Sequence, residues 1–247
     1  MKQTRIMMGM PITVEITDKA ANQKAIDEVF SYFEYVDNKF STYKDASEIS
    51  KINRKEINKD EWSDDMKTIF SLSEKTKSET MGYFDIQSPK GVYDPSGIVK
   101  GWAIYEAAKI LDNLGFKNFY IEAGGDIEVR GKNEKGDDWT IGIRNPFKTD
   151  EIVKAVKIKN QGMATSGVYE RGQHIYNPKA SNKPLTEIVS LTVIGPNIYE
   201  ADRFATAAFA MGREGINFIG NLPGFHAYMI DKNGQATMTA DFEKYVI

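Results

Sequence analysis

The chain has 247 residues, 41% hydrophobic and 27% charged, with a formal net charge of -3. Lys and Arg are spread along it rather than clustered, so a nucleic-acid interface has no electrostatic footprint, and no run reaches the ~20 apolar residues of a membrane span. It has no cysteine and two histidines, His174 and His226, which excludes disulfides, disfavours zinc and leaves hard, oxygen-ligated metals as the expected class.

Residues 10–17 alternate as a strand, with Ile12, Val14 and Ile16 on one side. Residues 19–40 read as an amphipathic helix, because Ile26, Val29, Phe30, Phe33, Val36 and Phe40 recur at helical spacing. Shorter helices are expected at 47–53, capped by Ser47 or Asp45, and at 63–80, capped by Ser63 and ended by Gly82. The stretch Asp94-Pro95-Ser96-Gly97-Ile98-Val99-Lys100-Gly101 then leads into a helix at 98–114, with Ser96 as the expected N-cap and Lys100 in the first turn. Gly115 is a C-cap signal.

After this the pattern changes. Strands are expected at 116–123, 126–131, 139–144, 152–158, 163–169 and 188–194. An alanine-rich helix opens at Asn197 or Glu200 and runs to Met211, followed by a short helix at 213–219. Asn233-Gly234 signals a hairpin joining 225–230 to 236–240. Helices gather early and strands late, which predicts an α+β fold. There is no internal repeat or low-complexity linker, so 1–247 reads as one compact domain.

Four stretches carry more glycine and polar signal than structure requires. One is Asp94 to Gly101. The second, Glu122-Ala123-Gly124-Gly125-Asp126, reads as a hairpin turn or as a place where backbone approaches a bulky ligand. The third is Ala164-Thr165-Ser166-Gly167 with His174-Ile175-Tyr176-Asn177-Pro178, whose hydroxyls and N–H groups suit phosphate. The fourth is Glu200 to Ala208, where Asp202 and Thr206 share a helix face. That pair suits Mg²⁺, or else is a dipole-favoured carboxylate beside a packed threonine.

Taken in order, these stretches resemble the ApbE family of flavin transferases. Met8-Gly9-Met10, Phe40-Ser41-Thr42-Tyr43, Asn53 and Trp139-Thr140-Ile141-Gly142-Ile143-Arg144-Asn145-Pro146 extend the resemblance over nearly the whole chain. The resemblance implies a single compact T-fold-like domain of mixed helices and antiparallel strands. It implies cleavage of FAD, transfer of FMN through a phosphoester to a Thr or Ser of a partner flavoprotein, and release of AMP. The implied Mg²⁺ ligands are the Gly97 carbonyl, Asp202 and Thr206. Implied flavin-nucleotide contacts are Met8, Tyr43, Tyr83, Phe84, Asp85, Asp94, Lys100, His174, Ile175 and Tyr176. His174, Lys100 and Asp202 would carry the chemistry, His174 as the base.

Some features depart from the family pattern. Only eight residues separate Asp85 from Asp94, Asn177 replaces a common Asp, and the 179–184 loop lacks its usual glycine. The N-terminus is too short ahead of its polar segment for an export signal. With no lipid-anchor cysteine, a cytoplasmic enzyme with a soluble partner is expected, although a trimmed exported protein would read the same way. Two other functions use the same residues: FAD hydrolysis to FMN and AMP, and flavin binding without catalysis.

Overall fold

A computed structural model describes residues 1–167, 177–179 and 185–247. Among these, eight strands form one antiparallel sheet in the order β1-β2-β3-β4-β7-β8-β9-β10, and β5 and β6 form a separate hairpin. The strands are β1 (Lys2–Met7), β2 (Met10–Ile16), β3 (Phe119–Ala123), β4 (Asp126–Arg130), β5 (Trp139–Asn145), β6 (Lys148–Ile158), β7 (Gly162–Gly167), β8 (Ile188–Gly195), β9 (His226–Asp231) and β10 (Ala236–Met238). The helices are α1 (Gln23–Phe40), α2 (Glu48–Asn53), α3 (Asp64–Glu79), α4 (Ser96–Asn113), α5 (Ile198–Ala210) and α6 (Gly215–Gly220).

The connections explain the layers. Strands β2 and β3 are neighbours, with Val14 opposite Ile121, yet α1 to α4 lie between them in sequence. That whole excursion packs on one face of the sheet, joined by α5 and α6 from the β8–β9 connection. The apolar stripe of α1 (Ile26, Val29, Phe30, Phe33, Val36) and Trp102, Ile104 and Leu111 of α4 meet Ile12, Val14, Ile121, Leu191 and Val193 there. The β5–β6 excursion covers the opposite face, where Trp139, Ile141, Ile143, Val156 and Ile158 meet Ile127, Val129, Ile194, Tyr228 and Phe242. Strands β8 and β9 are therefore buried on both sides, and β9 is buried at every position. Burying each such aliphatic or aromatic side chain contributes about 1.5–3 kcal/mol.

Several caps follow the sequence signals. Ser47, Ser63 and Asn197 accept from Ser50, Met66 and Glu200 N–H groups; Asn22, inside the helix expected at 19–40, instead caps it by accepting Ala25 N–H, so α1 starts at Gln23. Gly82 and Gly115 take positive φ after α3 and α4, as C-terminal glycines do. The Asn233-Gly234 turn closes β9 to β10, with Asp231 Oδ1 accepting from the N–H groups of Asn233 and Gln235.

Some expectations are corrected. Strand β1 had no predicted counterpart, because its residues are exposed or half-buried and show no apolar alternation. Strand β6 begins at Lys148 rather than 152, and β3 begins at Phe119, since Phe116 is spent filling the core after Gly115. Strand β10 ends at Met238, where Thr239 turns inward to bond Ala227. The strand expected at 163–169 is seen as Gly162–Gly167; its last two positions lie outside the described residues. Gly162 is needed less for a bend than for contact, because a Cβ there would overlap the backbone of Ile198 at the start of α5.

Ser96 is not the cap of α4. Pro95 occupies that position without a side-chain bond, and Asp94 Oδ1 accepts the Ser96 N–H at 3.0 Å. The helix thus begins two residues early, which moves Lys100 from the first turn to the second.

Candidate active site

Helices α4 and α5 lie side by side, and their contact is set by residues four apart on each. On α4 these are Gly97 and Gly101; on α5 they are Asp202 and Thr206. A Cβ on Gly101 would sit 2.6 Å from Asp202 Cβ and 2.9 Å from the Ile198 carbonyl. A Cβ on Gly97 would sit 3.3 Å from Thr206 Cγ2 and 3.3 Å from the Phe84 ring. Only glycine allows this approach at Gly101. Gly101 N–H, whose regular helical acceptor would be the Gly97 carbonyl, donates to Asp202 Oδ2 at 2.8 Å.

The third wall comes from the sheet. Asp126 opens β4 directly after the Gly124-Gly125 turn and is fully buried. Its Oδ2 lies 2.7 Å from Lys100 Nζ, and its Oδ1 accepts from Thr165 N–H on β7 at 3.1 Å. Asp202 is 4% exposed. Burial, followed by the neighbouring Asp126 carboxylate, pushes its carboxyl well above the usual range, against the pull of Lys100 and of Gly101 N–H. Two buried acids thus share one ammonium, a cluster that favours an added cation.

The donors fit Mg²⁺. They are all oxygens: the Asp202 carboxylate, the Thr206 hydroxyl and the Gly97 carbonyl, the last two on half-buried residues. Among the described residues, no group of three or more His, Cys, Asp and Glu could hold a metal ion. A metal here would therefore lean on neutral oxygens and on water or phosphate, as Mg²⁺ commonly does.

The approach to α4 is fixed by local bonds. The short 86–93 connection is a tight turn closed by the Gln87–Tyr93 bridge and by Asp94 N–H to the Ile86 carbonyl at 2.7 Å. The Asn53 side chain clamps Tyr93, donating to its carbonyl at 2.9 Å and accepting its N–H at 2.8 Å. Phe84 is buried against Gly97, Asp85 pairs with Lys77 at 2.7 Å, and Lys179 Nζ lies 4.5 Å from the centre of the Tyr83 ring.

Of the residues expected in the site, Gly97, Lys100, Asp202 and Thr206 come together, with Phe84 against them. Asp94 is exposed at the mouth of α4. Met8 sits in the β1–β2 turn with φ 53° and packs on the helix-side core. Tyr43 is 97% exposed, a ring left uncovered by the described residues. His174, Ile175 and Tyr176 lie outside the described residues. His226 is buried in β9 with its ring 5.2 Å from Tyr245, on the hairpin side of the sheet.

Sequence reading assigned no role to Asp126, because an Asp after Gly-Gly is what a turn would carry anyway. Its partners, Lys100 and Asp202, lie on two other elements. The Gly124-Gly125 turn also lines a cleft of about 420 Å³ on the hairpin side, together with Glu15, Glu122, Trp139, Arg144 and Thr165.

Comparison with known proteins bears on the family and the fold. The family model described as "ApbE family" matches residues 8–92 and 88–229. A FAD:protein FMN transferase of Haemophilus influenzae is 29% identical over 161 residues, covering 61% of this chain and 46% of that protein. One of Escherichia coli K12 is 28% identical over 177 residues, covering 67% and 50%. The chain thus spans about half the length of the curated relatives it matches. The solved flavin transferase ApbE of Vibrio cholerae has the same fold, with a TM-score of 0.86 at 21% identity over 99% of this chain and 98% of that one. The chain belongs to the ApbE family.

Proposed function

We propose that this protein is a Mg²⁺-dependent FAD:protein FMN transferase. The acceptor is a Thr or Ser hydroxyl on a target flavoprotein. Its oxygen bonds to the FMN-side phosphorus of FAD, the bridging P–O bond breaks, and AMP leaves with that oxygen. The observation that carries the reading is the buried Asp202–Asp126–Lys100 cluster beside Gly97 and Thr206. Plain flavin binding has no need of two buried acids and a paired lysine, which are costly to desolvate.

Asp202, Thr206 and the Gly97 carbonyl would hold the cation. When bound, Mg²⁺ supplies positive charge to the pyrophosphate oxygens as negative charge grows on them. Lys100, anchored by Asp126, adds a fixed ammonium on the same side. Met8, Tyr43, the 83–85 segment, Asp94, Ile175 and Tyr176 would hold the nucleotide, with the exposed Tyr43 ring as a stacking surface. His174 takes the proton from the acceptor hydroxyl, a role suited to an imidazole with an ordinary pKa of ~6.5. Among the described residues no helix is long and apolar enough to cross a membrane. Separately, we propose a cytoplasmic setting with a soluble partner.

The test is incubation with FAD, Mg²⁺ and a flavoprotein carrying an acceptor threonine. Flavin fluorescence on the partner band in a denaturing gel, with AMP released in step, supports transfer. Free FMN and AMP without labelling would make it a hydrolase, and no cleavage would leave a binder. His174→Ala should slow transfer by about 10²–10⁴-fold; a loss under tenfold would reduce His174 to positioning.

A further inference from the structure

We infer that Arg203 is a positioning residue that sets the spacing between the two halves of the site: helix α5, with its metal ligands, and the nucleotide-contacting segment 83–85. The inference rests on the flavin-transferase reading above.

Arg203 follows Asp202 on α5 and its side chain is 3% exposed. Arginine is almost never buried this far unless it is paired, and here the guanidinium is engaged on both sides. Its Nε donates to Glu200 Oε2 at 2.8 Å, and Nη2 pairs with the same carboxylate one turn earlier on α5. Its Nη1 crosses to α3, where it pairs with Glu79 and donates to Thr76 Oγ1 at 3.3 Å. The plane lies 3.9 Å from the centre of the Phe204 ring. A fork locked in this way fixes direction as well as charge.

What it fixes is the end of α3, which is bonded onward to the 83–85 segment. Thr80 Oγ1 donates to the Thr76 carbonyl at 2.7 Å and accepts Phe84 N–H at 3.2 Å. Gly82 N–H returns to the Lys77 carbonyl at 2.7 Å. Phe84 then flanks Gly97 together with Thr206, close enough that a Cβ on the glycine would lie 3.3 Å from both side chains. A closed circuit results: Arg203, Thr76, Thr80, Phe84, Gly97, Thr206 and back along α5. Stability alone does not call for it, since apolar side chains often replace a buried ion pair without loss.

The consequence is coupling. If Arg203 sets that spacing, FAD and Mg²⁺ each bind better with the other present, and weakening the fork lowers the coupling before it lowers either affinity alone. The experiment titrates FAD by flavin fluorescence, once with Mg²⁺ and once with EDTA, using wild type, Glu79→Gln and Arg203→Lys. Wild type should bind FAD at least ~5-fold more tightly with Mg²⁺. Both variants should lose most of that ratio while their affinity in EDTA and their melting temperature change little. Arg203→Met strands two acids and can fail to fold, so Glu79→Gln, whose partner side is 37% exposed, carries the test. A wild-type ratio in both variants overturns the inference, and so does an equal loss with and without Mg²⁺, which marks a merely structural role. Failure of the wild type to bind FAD at all instead sinks the functional reading itself.

Discussion

Strand β4 presents Asp126 and Glu128 to the helices and Ile127 and Val129 to the β5–β6 hairpin, and all four are 5% exposed or less. The hairpin side behaves as an ordinary core, built of aliphatic and aromatic side chains from both sheets. The helix side places two carboxylates in the protein interior, one paired with Lys100 and one with Arg130. Glu128 also accepts Ile198 N–H at 2.6 Å, at the start of α5, so it fixes the helix that carries Asp202. The contrast between the faces separates jobs: one stabilises, and the other spends stability to hold charge where phosphate chemistry would use it.

The largest expected effect breaks the apolar side. Phe242 is fully buried against Tyr228, so Phe242→Ala should cost about 3–5 kcal/mol, read as a lower urea midpoint. AMP release per folded molecule should hardly change, and a matching loss of turnover would blur the division. On the charged side the expectation reverses. Asp202→Ala should lower Mg²⁺-dependent FAD cleavage by about 10²–10³-fold with the melting temperature kept or raised. Cleavage that persists in excess chelator would remove the metal from the account.

A third prediction sharpens the difference through pH. Burial holds the Glu128 carboxyl at about 7, against an ordinary 4.5, despite Arg130 and Ile198 N–H. The folded chain therefore binds this proton more tightly than the unfolded one. Its contribution is most favourable below pH ~4.5 and is lost as pH rises to about 7, by about 3 kcal/mol in all. Glu128→Gln keeps an acceptor for Ile198 and should flatten the fall in urea midpoint between pH 5 and 8; an unchanged fall would place its origin elsewhere. The smallest effect is at Gly97. An added Cβ lies 3.3 Å from both Phe84 and Thr206, worth about 1 kcal/mol of crowding. Alanine's better helix propensity, about 1 kcal/mol, offsets that crowding in the free protein, so Gly97→Ala should raise the Mg²⁺ concentration at half-maximal rate roughly fivefold with the melting temperature nearly unchanged. An unchanged Mg²⁺ requirement would separate Gly97 from the metal.

The two faces also differed in how much the sequence disclosed. Core positions announce themselves by period, so the stripe of α1 and the alternation of β2 were legible, as were caps such as Asn197 and Ser63. Asp202 and Thr206 were legible as a pair because both lie on one helix. Asp126 and Arg203 were not, since their partners sit on other elements and nothing local marks an Asp after Gly-Gly or an Arg in a helix as buried. Strand β1 was missed because an edge strand with half-wet faces carries no apolar alternation. Asp94 displaced Ser96 at α4 because its carboxylate reaches the first free N–H from outside the helix.

In the proposed mechanism the α4–α5 cluster is a cation site held at a cost in stability. Thermal unfolding of wild type and Asp202→Asn, each with and without Mg²⁺, tests it most directly. Without metal the variant should melt no lower than wild type, because one of two facing carboxylates is gone; with Mg²⁺ only wild type should gain. A variant that melts well below wild type in chelator, or that gains as much from Mg²⁺, would contradict the account.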